Sequence, residues 1–180
     1  MRLRRATLDD APGVAHVHQE AWRTTYTGIL PRAVIEQLAG RRSEETWRSR
    51  LADRGMHAVW VAEDAGSIVG FASCGDARHR LAGVEAEVYA LYVLQDCQRR
   101  GFGRELLRAC ARHFVAHGLF GFYLWVLKAN RARLFYEAVG GEEAGQKSER
   151  LGLHSYDEVA YAWRDVATLL APAGRAHAQP

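Results

Sequence analysis

The sequence predicts an α+β fold with a mixed sheet. Three observations predict it. Apolar residues recur at helical spacing through much of the first fifty positions. From His57 onward the pattern changes to short apolar, β-branched and aromatic runs bounded by turn residues. Helical and strand-like segments then alternate, and no repeat or linker interrupts them. Residues 1–170 therefore read as a single domain, and 171–180 as a small, polar tail expected to be disordered.

Arg2 to Ala6 suits a short opening strand. Asp9 reads as a helix N-cap, with Asp10 favoured by the positive end of the helix dipole. Val14, Val17, Ala21 and Trp22 share one helical face, which carries that helix to about Tyr26 before Gly28 breaks it. Pro31 fits the first turn of a second helix whose apolar side is Val34, Ile35 and Leu38. A third helical stretch begins at Ser43, with part of a capping box at Thr46. HAVWVAED, a turn at AGS and IVGFASCG form a hairpin pattern, and Asp76 to Gly83 reads as a polar loop. EAEVYALYV is the next strand. Helical spacing returns over 101–117 through Phe102, Leu106, Leu107, Cys110 and Phe114. GFYLWVL is a strand, ARLFYEAV a helix, and two weaker strands lie near Glu142 to Ser148 and Tyr156 to Trp163.

With 180 residues, 48% apolar and 25% charged, the chain has the composition of a soluble globular protein with room for a sizeable core. It has no apolar run near the roughly 20 residues that span a bilayer, and MRLRRATLDD lacks the apolar centre of a signal peptide. The expected compartment is the cytoplasm, with no membrane partner. Three cysteines, Cys74, Cys97 and Cys110, without CxxC spacing argue against a disulfide framework and a thiolate metal site. His16 and His18 are about 200° apart on a helix, so no metal is expected there either. A net charge of +3 without a basic stripe or interleaved aromatics excludes a nucleic-acid partner.

The segment Gln98-Arg99-Arg100-Gly101-Phe102-Gly103, followed by Arg104, joins a strand to an amphipathic helix. One reading is a turn and a solvated helix start. The other is an anion seat. Glycines let the backbone approach a ligand, the first helical N–H groups lack partners, and the arginines add charge. A Walker loop is absent. A dinucleotide fingerprint fails at Leu106, where a small residue is required.

The pattern Q/R-x-x-G-x-G/A between such a strand and helix resembles the acyl-CoA signature of the GNAT superfamily of N-acetyltransferases. EVYALYV is similar to the family's bulged central strand, and WVLKANRARLFYEAVGG to its second motif. The resemblance covers residues 2 to 164. It implies a mostly antiparallel central sheet flanked by helices, with a splayed central strand pair, and acetyl-CoA as co-substrate. By the same resemblance, Leu91, Tyr92 and Val93 offer backbone groups to pantetheine and the thioester oxygen. Gln98, Arg99, Arg100, Gly101, Phe102, Gly103 and Arg104 hold pyrophosphate, and Asn130 bonds the pantetheine arm or caps its helix. Glu87 stands where some members keep a general base, with Glu85 on the same alternating face as the alternative. Tyr136 stands at the position of the acid that protonates the CoA thiolate; the other reading is a core aromatic. One departure is Gly141, where the family usually has an aromatic. It leaves the packing and start of the sixth strand undetermined.

The function implied is acetyl transfer to a primary amine by direct attack. The competing class is a CoA-binding sensor or scaffold without turnover, which would have no chemical need of Glu87 and Tyr136. Trp22, Tyr26 and the 28–40 segment are expected to wall the acceptor site by family analogy. Arg78, His79 and Arg80 read as a solvated loop that could also meet an acidic acceptor. A small amine, an antibiotic, a polyamine and a protein N-terminus remain open as acceptors, and the resemblance leaves a homodimer open.

Overall fold

The computed structural model describes residues 1–41, 43–53, 55–81, 83–151 and 153–171. Of the expected tail, 172–180 lie outside the described residues. Seven strands form one sheet: β1 (Arg2–Arg5), β2 (Ala58–Asp64), β3 (Ser67–Leu81), β4 (Val84–Val93), β5 (Phe122–Leu127), β6 (Glu142–Leu151) and β7 (His154–Trp163). Their order is β1-β2-β3-β4-β5-β7-β6. All neighbours are antiparallel except β4 and β5, which are parallel and meet in one register pair, Glu87 with Tyr123. The expected mixed, mostly antiparallel sheet with a splayed central pair is what folds.

Among the described residues six α-helices accompany the sheet: α1 (Ala11–Tyr26), α2 (Arg32–Gly40), α3 (Glu44–Leu51), α4 (Phe102–Ala116), α5 (Ala132–Ala138) and α6 (Ala167–Leu170). Strand alternation assigns them to faces. On β2, Ala58 and Ala62 pack with Leu106, Leu107 and Phe114 of α4, whereas Val59 and Val61 pack with Val14 and Val17 of α1 and Trp47 of α3. Each of the Val, Leu and Phe side chains among them contributes about 1.5–3 kcal/mol when taken fully out of water. None of the described helices is long and apolar enough to cross a membrane.

Three local outcomes differ from the sequence reading. A 3-10 turn, Leu8–Asp10, precedes α1, and Asp10 rather than Asp9 closes the cap by accepting from the Thr7 N–H at 2.7 Å. Asp10 also pairs with Arg4 at 2.6 Å, so its side chain ties β1 to the helix start. The stretch Asp76 to Leu81 is strand rather than loop. Its polar, mostly exposed residues conceal the extension, which pairs back onto β4. Finally, α6 was not expected; Arg108 of α4 holds its end by donating to the carbonyls of Leu169 and Ala171.

Gly141 has a physical explanation. A Cβ there would lie 2.8 Å from the Trp163 indole and 3.0 Å from the Tyr136 carbonyl. Trp163 of β7 is buried against this backbone and donates its indole N–H to the Val139 carbonyl at 3.0 Å. The aromatic missing at 141 is thus supplied by the neighbouring strand, and β6 starts directly afterwards at Glu142.

Candidate active site

The site is built on the fork between β4 and β5. A bulge leaves Tyr89 without a β3 partner, since Val88 pairs with Cys74 and Ala90 with Ser73. Past Glu87, β4 has no register partner on β5 among the described residues. Its backbone from there on borders a narrow cleft of about 130 Å³, lined by Leu91, Tyr92, Val93, Gln98, Asn130 and Tyr136 among others. Six of the expected site residues are therefore brought together.

Beyond the strand, Leu94 leads into a short 3-10 turn and then the glycine segment. Arg99 (φ 61°) and Gly101 (φ 88°) both adopt left-handed backbone, which glycine tolerates freely and arginine does not. This double reversal swings the chain directly into α4, where the Gly101 carbonyl accepts from the Glu105 N–H at 3.1 Å. The preceding N–H groups of that first turn have no partner within the helix. Gly103 faces the ring of Phe135, 3.3 Å from where a Cβ would be, so α4 and α5 approach closely. Phe102 is a core side chain that can offer a ligand only its backbone. Gln98 donates to the Val93 carbonyl at 3.1 Å, holding the strand end. Arg100 ion-pairs with Asp64 at 2.7 Å from an exposed position, while Arg99 and Arg104 have no carboxylate partner among the described residues.

Tyr136 is buried, packed on Phe135, Tyr161 and Trp163, and reaches the narrow cleft. Its O–H has no hydrogen-bond partner among the described residues. Burial, and then the neighbouring Tyr92, push its pKa up, so the hydroxyl keeps its proton. Asn130 accepts from the Ala132 N–H at 2.9 Å and lines the cleft as well, so the capping and ligand-facing readings coexist.

A wider cleft of about 550 Å³ adjoins the narrow one and shares Tyr26, Tyr92, Trp125 and Glu158 with it. Trp22, Tyr26 and, from the 28–40 segment, Leu38 form part of its wall. Tyr92 is steadied by His18, whose ring centroid lies 4.9 Å away, and its hydroxyl is 3.3 Å from that of Tyr26. His16 faces solvent on the other side of α1.

Glu87 lies on this wider cleft and its side chain is 1% exposed. Arg78 grips the carboxylate through Nε and Nη2, the Arg78 N–H donates at 3.0 Å, and the Tyr123 hydroxyl lies 3.1 Å away. Glu85 lines neither cleft; its side chain is 65% exposed near Arg80. Six further charged or titratable residues of this cleft carry no site signal in the sequence: Arg50, Asp53, His57, Lys147, Glu149 and Glu158. Glu158 has a 16% exposed side chain, borders both clefts, and pairs with Lys147 at 3.2 Å. Burial raises its pKa, with Glu149 adding to the shift and Lys147 opposing it. No local motif marks it. Only the pairing of β7 with both β5 and β6 brings it there, opposite Leu127 and Lys147.

Comparisons with known proteins match this chain and its fold. Residues 15–140 fit the Acetyltransferase (GNAT) family. The chain belongs to that family. An uncharacterized N-acetyltransferase, YuaI, of Bacillus subtilis is 35% identical over 93% of this GNAT chain and 95% of its own. The L-methionine sulfoximine/L-methionine sulfone acetyltransferase of Pseudomonas aeruginosa is 29% identical over 80% of this chain and 81% of its own. Among solved structures, the PaiA N-acetyltransferase of Thermoplasma acidophilum in complex with coenzyme A shares the fold, with a TM-score of 0.70 at 20% identity over 88% of this chain and 96% of that one. As a GNAT protein, the chain is an acyltransferase.

Proposed function

We propose that the protein transfers the acetyl group of acetyl-CoA to a small primary amine. The observation that carries this reading is the Tyr136 hydroxyl, unpartnered among the described residues and lining the cleft that opens where β4 and β5 part. In this reading pantetheine lies along Leu91, Tyr92 and Val93, and pyrophosphate is held by the first N–H groups of α4 with Arg99 and Arg104. Arg100 joins them when it releases Asp64. The Pseudomonas aeruginosa relative is named for acetylating L-methionine sulfoximine and L-methionine sulfone, both small molecules, which supports a small acceptor here.

The acceptor enters through the wide cleft and attacks the thioester carbonyl. A backbone N–H of the bulged strand steadies the developing oxyanion, an effect worth about 3–4 kcal/mol in comparable sites. An alkylamine arrives protonated, because its pKa is about 10, and must lose two protons in all before product forms. Glu87 is the proposed proton acceptor. Its oxygens are occupied by Arg78, so it acts when that guanidinium, on a 59% exposed side chain, turns outward or through an intervening water. Glu158 faces the same space as a second carboxylate. As the tetrahedral adduct collapses, Tyr136 gives its proton to the departing thiolate.

Release of free thiol from acetyl-CoA, followed across a panel of small amines, tests the reading. Amine-dependent release at rates above the buffer reaction is expected. Tight acetyl-CoA binding with no release for any amine would instead describe a non-catalytic binder.

A further inference from the structure

Of the 24 Lys and Arg residues in the chain, two are lysines, Lys128 and Lys147. The difference matters chemically, because a guanidinium keeps its proton whereas a lysine ammonium can give one up and accept an acyl group. Lys128 is exposed and lines neither cleft. Lys147 lines the wide cleft, with its side chain 33% exposed. Its Nζ lies 3.2 Å from Glu158, 3.6 Å from Glu149 and 4.5 Å from the centre of the Trp125 ring. Glu158 and Trp125 line the narrow cleft as well. A primary amine is therefore held one side chain away from the space that the thioester occupies in the reading above.

The sheet fixes this placement. Lys147 of β6 sits in register opposite Glu158 of β7, and β7 pairs on its other side with β5, which carries Trp125. Lys147, Glu149 and Leu151 alternate along β6 and all line the wide cleft, so the lysine is on the face turned toward the acceptor space. An ammonium has no free electron pair and must lose a proton before it can attack. Glu158 is the carboxylate placed to take it. Burial raises the Glu158 pKa, with Lys147 opposing the rise, and this makes it a readier proton acceptor than an exposed carboxylate.

We propose that Lys147 is an acetylation site which the enzyme modifies itself, within one molecule, when acetyl-CoA is bound and no amine fills the wide cleft. The ammonium gives one proton to Glu158, and the free amine attacks the thioester carbon. A nitrogen–carbon bond forms and the carbon–sulfur bond breaks. Tyr136 gives its proton to the thiolate and recovers one from the adduct nitrogen. The products are ε-acetyl-lysine, CoA thiol and the proton that Glu158 releases to solvent. The amide is uncharged, so Glu149, Glu158 and the Trp125 ring lose the cation that they share. The inference rests on the acetyl-transfer reading above and adds a side chain of this protein as an acceptor.

Incubating the full chain with acetyl-CoA and no amine, then measuring intact and tryptic peptide masses, tests it. Trypsin does not cut after acetyl-lysine, so modification yields a peptide spanning 134–150 in place of cleavage after Lys147. Lys128 reports uncatalysed acetylation by the thioester. Lys147 should be acetylated at least about tenfold faster than Lys128, because its amine is held beside the bound donor. Its half-time should not depend on protein concentration, and excess CoA should protect Lys147 but not Lys128. Lys147→Arg should leave the intact mass at the level of background acetylation. The site is overturned if Lys147 reacts no faster than Lys128, reacts faster at higher protein concentration, or is not protected by CoA. Amine-dependent thiol release in that case leaves acetyl transfer to free amines standing. Acetylation of Lys147 with no amine turned over keeps the site and removes the small acceptor. Neither thiol release nor acetyl-Lys147 removes both.

Discussion

The two clefts meet at Tyr92, Trp125 and Glu158, yet they are made of different materials. The narrow one is bordered largely by contiguous chain: β4 from Val88 to Val93, which has no register partner on β5 among the described residues, with Gln98 at its end and Asn130, Ala132 and Tyr136 opposite. The wide one is bordered by charged side chains from α3, β3, β4, β6 and β7 that oppose one another across open space. A cleft made from backbone suits a ligand that is the same for every relative. A cleft made from side chains can be retuned one residue at a time for different acceptors. The same difference separates the effects expected from substitution on each side.

The largest effect is expected at the glycine turn that follows the narrow cleft's strand. Gly103→Asp must displace Phe135 and also place a negative charge at the first turn of α4, so acetyl-CoA binding should weaken by at least about 100-fold in calorimetric titration. Gly103→Ala adds the Cβ without the charge. If both variants bind equally poorly, packing against Phe135 rather than anion recognition explains the loss. Unchanged binding in the aspartate variant would show that the segment is only a turn.

Tyr136→Phe removes one oxygen and keeps the packing. Turnover should fall by about 10²-fold, with little change in KM for acetyl-CoA, because the proton matters only as charge develops on sulfur. An equally fast enzyme with an unchanged melting temperature would make Tyr136 a core aromatic and nothing more.

A smaller loss, about tenfold at neutral pH, is expected for Glu87→Gln, with recovery toward pH 10, where free amine is plentiful. Glu158→Gln is the companion measurement. Whichever substitution flattens the acid limb of the pH–rate profile identifies the carboxylate that takes the proton.

The smallest effect leaves both clefts untouched. Asp10 has its pKa lowered to about 2, first by the Arg4 hydrogen bonds, against the desolvation that opposes them. A depressed carboxylate pKa adds stability that is fully present above the unfolded value of 3.8 and is lost as pH falls through about 2. Asp10→Asn should therefore cost about 2 kcal/mol at pH 7 in denaturant unfolding, and the gap from the parent should close on acidification. Turnover by the folded fraction should stay normal, which separates loss of fold from loss of site.

Legibility in the sequence divides along the same line. The glycine turn, the EVYALYV strand and the Asn130 to Tyr136 segment are contiguous, and their backbone geometry is encoded locally by glycine, capping and apolar spacing. The side-chain cleft is not contiguous. Arg78 was read as part of a loop because Asp76, Arg78, His79 and Arg80 look solvated; only the long β3–β4 pairing reveals a strand that turns Arg78 onto Glu87. Arg50 sits in a helix whose apolar pattern concerns Trp47. Glu158 belongs to a strand whose two neighbours come from elsewhere in the chain. Pairings over such separations leave no periodic trace in a single sequence.

The substitution of Trp163 for a side chain at 141 has a consequence for how this chain can change. Two positions 22 residues apart now share one volume, so they behave as a single character. An aromatic introduced at 141 alone collides with the indole, and a small residue at 163 alone leaves a void and an unaccompanied Val139 carbonyl. Drift between this arrangement and the usual one must pass through one of those two damaged intermediates. That makes the pair a historical marker: descendants of this lineage should carry both residues or neither, whatever amine they have come to accept.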